Sequence, residues 1–151
     1  MTSNHPQNQQ LEQFKVNIKI RLAFLWTAVM FCYVYGDFFS LFVPGRLKNL
    51  MAGHSGVGQT TPYALLGFAL MMSIPALMIF LSVSLKAKAN KIANLVAGLL
   101  FSLIMAMILA TSLDKWMLFY GYLALVEIIL TAIIVCLAIT WPKQNPNNHE
   151  D

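Results

Sequence analysis

Four long apolar stretches separated by short polar ones dominate the pattern along this chain. They are Leu22–Val43, Pro62–Leu85, Ile92–Leu113 and Trp116–Thr140, of 22, 24, 22 and 25 residues. As an α-helix the shortest would reach about 33 Å, more than the roughly 30 Å of hydrocarbon in a bilayer. Hydrophobic positions run continuously through each block, so no face is reserved for water. Lipid offers the backbone no hydrogen bonds, and runs this long are not barrel strands. The pattern therefore predicts an all-α fold, a polytopic membrane protein built as a four-transmembrane-helix bundle.

The polar segments divide the chain. Residues 1–17 and 142–151 read as disordered tails, rich in Asn, Gln and Pro, flanking a transmembrane domain over 18–141. No signal-peptide pattern precedes the first block, so that block is expected to be retained. Pro62 opens the second helix and Pro75 sits within it as an expected kink. In the first loop, Leu47, Leu50 and Met51 recur at helical spacing beside Arg46 and Lys48, the pattern of a short interfacial helix. The following HSGVGQTT reads as a flexible, glycine-rich segment.

Composition and charge sharpen this picture. Hydrophobic residues form 58% of the chain and charged ones 11%, against about 25% charged in a soluble domain. The net charge of +4 might point to nucleic acid, but the basic residues flank the apolar blocks and no binding motif accompanies them. Lys15, Lys19, Arg21, Lys86, Lys88, Lys91 and Lys143 fall on one side, and Arg46, Lys48 and Lys115 on the other. By the positive-inside rule both termini are cytoplasmic and the first loop faces out. Trp26, Trp116, Trp141 and Tyr63 stand near block ends, where an aromatic belt is expected. Cys32 and Cys136 lie inside blocks, as small buried hydrophobes.

Two features bear on function. Asn94, Gly98, Ser102, Ala106 and Ala110 form a four-residue-spaced stripe, suited either to packing within the chain or to a homo-oligomer seam. The second feature is a pair of intramembrane acids. Asp37 lies roughly 9 Å and Glu127 roughly 16 Å from the outer surface by the helical rise, and no Lys or Arg lies deep enough to pair with either. A charge at helix centre costs about 2.5–3.5 kcal/mol on insertion scales. Each acid must keep its proton, accept hydrogen bonds, or face water. Trp26, Met30, Tyr33, Asp37 and Ser40 share one face of the first helix, and Tyr120, Ala124, Glu127 and Thr131 one face of the fourth. Facing each other, these stripes would bind a proton, a cation or a polar molecule. The competing expectation is that each acid merely joins two helices by a hydrogen bond. His54 stands alone, Gly53, Gly56 and Gly58 lack a Walker lysine, and no metal, cofactor or catalytic set is expected.

The segment YVYGDFFSLFVPG, residues 33–45, resembles a domain-of-unknown-function family of small bacterial membrane proteins that carry Y-x-Y-x-D late in the first helix. LMAG at 50–53, TP at 61–62, IP at 74–75, AN at 89–90 with Asn94, and Glu127 extend the resemblance over most of 18–140. Gly36 stands where alanine is more usual. In general shape this family is similar to the DoxX-like group. The resemblance implies a four-helix bundle in a bacterial inner membrane and supplies no activity. Three roles are open at this point. The first is an accessory or structural subunit among membrane lipids and protein partners. The second is a small proton-coupled transporter using Asp37 and Glu127, and the third a lipid- or quinone-linked enzyme partner.

Overall fold

The computed structural model describes residues 15–55, 58–111 and 114–142, and the two expected disordered tails fall almost wholly outside these. Helix α1 spans Ile18–Ser40, the short α2 Arg46–Met51, α3 Pro62–Ser84, α4 Ala87–Thr111 and α5 Leu118–Ile139, the last preceded by a 3-10 turn at Lys115–Met117. Four of these helices are long and apolar enough to cross a membrane. Successive spans run antiparallel, so the starts of α1 and α4 and the ends of α3 and α5 share one end, called here the terminal end. The far end carries α2, the first loop and the α4–α5 connection.

Local chemistry sets these boundaries. The Asn17 side chain caps α1 by accepting from Lys19 N at 2.9 Å, and Thr61 caps α3 by accepting from Ala64 N at 3.1 Å with Pro62 at the first position. α1 stops at Ser40, ahead of the expected Val43, because Pro44 disfavours helix before it. α4 starts at Ala87, five residues ahead of the apolar block beginning at Ile92. The run AKANK is polar yet helix-favouring, and Lys88 extends off the bundle while Asn90 turns into the core. The glycine-rich segment is closed by a His54–Gln59 bridge and by Thr60 N on Gly53 O at 2.7 Å, so its described part is a defined turn.

α1 packs against both α3 and α5, α5 packs most extensively on α4, and α3 meets α4 only sparingly. The core runs along α1 through Leu22, Trp26, Val29 and Tyr33, and meets Phe101 and Met105 of α4 and Ala124 and Ile134 of α5. Gly98 lets α4 and α5 close up: a Cβ there would stand 2.8 Å from Val135 Cγ2. The small-residue stripe thus packs inside the chain through Asn94, Gly98 and Ser102. Ala106 and Ala110 are exposed, because the stripe's four-residue repeat drifts around a helix of 3.6 residues per turn. Two lysines close helix ends on their neighbours. Lys19 Nζ donates to Leu85 O at 2.7 Å and Val83 O at 3.2 Å, and Lys91 Nζ to Ile139 O at 3.0 Å. These carbonyls are among those that a helix C-terminus leaves unbonded.

Two further expectations need correction. Trp26 is fully buried rather than in an aromatic belt, because its indole N–H finds a partner inside the bundle, described below. Cys136 is exposed on the outside of α5 and Cys32 is half-buried, so neither is the fully buried small hydrophobe expected.

Candidate functional site

Two polar sites occupy the bundle interior, one above the other, and Phe101 lies between them. Nearer the terminal end, Trp26 Nε1 donates to Asn94 Oδ1 at 2.8 Å, and Ser82 Oγ donates to the same oxygen at 3.3 Å. Asn94 Nδ2 donates to Asn90 Oδ1 at 2.6 Å and Asn90 O at 3.0 Å, while Asn90 Nδ2 donates to Ser82 O. All four residues are fully buried. The network ties α1, α3 and α4 together with its groups satisfied, as a buried polar cluster must be in a low-dielectric interior. Of this cluster Asn94 stands out in sequence as a packing residue, and Asn90 only beside it in the family resemblance. Trp26 was placed on a polar face, Asn90 reads as part of a basic connector, and one Ser among apolar neighbours carries no signal.

The second site lies toward the far end, between α1, α4 and α5. Tyr33, Cys32 and Gly36 of α1, Met105 of α4, and Tyr120 and Glu127 of α5 line a cavity of about 10 Å³, room for roughly one water molecule. Glu127 is 3% exposed and Tyr33 7%. The Tyr33 hydroxyl and the Glu127 carboxyl are close enough to interact with each other, yet the hydroxyl and Oε2 are both buried and make no well-formed hydrogen bond among the described residues. Gly36 lets Tyr120 lie against the α1 backbone, its ring 3.4 Å from where a Cβ would stand. Below the cavity, Ser102 Oγ donates to Thr131 Oγ1 at 2.7 Å, and Thr131 donates to the Glu127 carbonyl at 2.8 Å. Phe101 packs edge-on to both Trp26 and Tyr33, with ring centroids 6.1 Å apart in each case, and separates the two polar sites.

The structure brings together Tyr33, Tyr120 and Glu127, with Thr131 supporting the last through its backbone. It does not bring Asp37 into the cavity. Asp37 lies on the exposed surface of α1 near the far end, and Ser40 bonds only its backbone, Oγ to Asp37 O at 2.7 Å. The buried line of α1 runs through Tyr33, Gly36 and Ser40, and Asp37 stands to one side of it, outside the lining of the cavity. Nor is Asp37 without a cation. Arg46, carried back over the far end by α2, lies within electrostatic reach of Asp37 and Tyr120. Sequence reading missed this because it measured depth along the spans and not the return of the loop. Tyr120 in turn is within electrostatic reach of Asp37 and Glu127, which links the surface pair to the cavity. No cluster of His, Cys, Asp and Glu among the described residues could hold a metal ion.

Fold and site together define a polytopic four-helix membrane protein with a buried carboxyl between its spans. The chain belongs to the family of unknown function DUF6326, whose model matches residues 10–148. No curated protein and no solved structure matches it, and the likeness in outline to the DoxX-like group finds no support in these comparisons.

Proposed function

We propose that this protein binds a proton at Glu127 as the working step of a small transporter whose cargo is the proton itself. The supporting observation is that the Glu127 carboxyl and the Tyr33 hydroxyl sit together, buried and without a well-formed hydrogen bond, around a space for one water. A carboxylate without a cation beside it in such a site carries a heavy solvation cost, so the neutral acid is the form that fits. A water molecule in the cavity would satisfy both orphan atoms and supply a route for the proton. Exchange would run toward the far end, through Tyr120 to Asp37 and Arg46, since Phe101 and its apolar neighbours close the other direction. The cavity is far too small for an organic solute, so the bound species is a proton or a water.

The bias of basic residues supports cytoplasmic termini, and in a bacterial inner membrane exchange would then face outward. A vesicle assay tests the proposal. Purified protein is reconstituted with an internal pH dye, and a voltage is applied. Wild type should admit protons and Glu127→Gln should not. Silence from wild type, or undiminished flux in the variant, would overturn it.

One observation favours the accessory reading as an alternative. α3 buries only Pro75, Met78 and Ser82 of its 23 residues, fewer than any other span, and so offers most of its surface to lipid or a partner helix. Recovery of a stoichiometric membrane partner in mild detergent would support this reading, and a stable protein recovered alone would count against it.

A further inference from the structure

We infer that the terminal end carries a binding site for one anionic phospholipid, in the cleft between the start of α4 and the end of α5. The cleft has a volume of about 460 Å³ and is lined by Ala87, Lys88 and Lys91 on one side and Ile139, Thr140 and Trp141 on the other. Its lining is mostly apolar with two lysines on one wall, the mixture found at the boundary between acyl chains and headgroups. Its level matches that boundary, since α3 and α5 end and α4 begins there. Trp141 supplies the amphipathic ring that prefers this depth.

Charge fixes the sign of the ligand. The described carboxylates, Asp37, Glu127 and Asp114, lie in the membrane interior or at the far end. Lys15, Lys19, Arg21, Lys86, Lys88 and Lys91 gather at the terminal end. The two cleft lysines differ in what they have left to give. Lys91 spends one N–H on Ile139 O, which anchors the ammonium at the rim. Lys88 Nζ makes no hydrogen bond among the described residues and is exposed. Between them opens the first turn of α4, where Asn90 N on Lys86 O begins the backbone ladder. The amides ahead of it are those that a helix leaves without internal partners, at its positive end. A phosphodiester seated there meets two ammonium groups and helix amides, and its acyl chains run down past Ile139. Basic clefts between membrane helices suit such headgroups.

Native mass spectrometry of the full chain in mild detergent tests this, with phosphatidylglycerol or phosphatidylcholine added. Wild type should retain one phosphatidylglycerol and no phosphatidylcholine, and millimolar inorganic phosphate should not displace it. Each lysine near an anionic lipid contributes enough for about a five-fold change in affinity. Lys88→Gln, which removes no contact within the fold, should therefore weaken retention by about five-fold, and Lys88→Gln with Lys91→Gln by more. Lys86→Gln, on the same end but outside the cleft, should retain lipid as wild type does. Equal retention of phosphatidylcholine, displacement by phosphate, or an equal loss in the Lys86 and Lys88 variants would overturn the site.

Discussion

Tyr33 and Asn94 show how differently two buried polar groups can be treated one above the other in the same bundle. Asn94 bonds Trp26, Ser82 and Asn90, whereas the Tyr33 hydroxyl makes no well-formed hydrogen bond. Removing the side chain of Asn94 leaves several groups orphaned, at about 1–3 kcal/mol each in water-soluble cores and less in membranes, where unfolded helices find other partners. Asn94→Ala should therefore lower unfolding free energy in detergent by about 2 kcal/mol, measured by denaturant titration. Tyr33→Phe removes a hydroxyl that makes no well-formed hydrogen bond within the protein and keeps the ring against Phe101. It should change stability by less than about 1 kcal/mol while slowing proton entry in the vesicle assay. A large stability loss with unaltered flux would show that the hydroxyl is structural. The acid at 127 and its tyrosines were legible in sequence because few polar groups survive inside apolar blocks. The displacement of Asp37 was not, since the polar residues chosen for that face do not coincide with the buried line through Val29, Tyr33, Gly36 and Ser40, beside which Asp37 stands.

At the scale of the helix, close approach and end closure carry the architecture. α4 and α5 meet over Gly98, and an added methyl would collide with Val135 Cγ2 at 2.8 Å. Overpacking of this kind costs about 1–3 kcal/mol. Gly98→Ala should destabilise by that amount, and adding Val135→Ala should recover most of the loss, which a double-mutant unfolding cycle would measure. Ala106→Leu and Ala110→Leu, on the exposed continuation of the same stripe, should be close to neutral in the same assay. The four spans were readable from hydrophobic length alone. Their ends were less so, because AKANK looks like a connector by polarity and is a helical turn by propensity, with Asn90 buried inside it. The capping of α3 and α5 by Lys19 and Lys91 was likewise hidden, since it depends on which helix ends lie side by side.

For the whole molecule, four spans require both termini on one side, and the excess of basic residues there predicts that this side is the cytoplasm. Reporter enzymes fused at position 55 and at the C-terminus should therefore be active on opposite faces, and cytoplasmic activity at position 55 would reverse the orientation. The proposed function depends on that frame, because a carboxyl enclosed by helices in hydrocarbon has no cation beside it and one water's width of space. Infrared difference spectroscopy of the protein in lipid examines this acid directly, through the carbonyl stretch that only a protonated carboxyl shows. The band should appear in wild type, persist in Asp37→Asn and vanish in Glu127→Gln. Its absence from wild type, or its survival in Glu127→Gln, would contradict a proton held at Glu127.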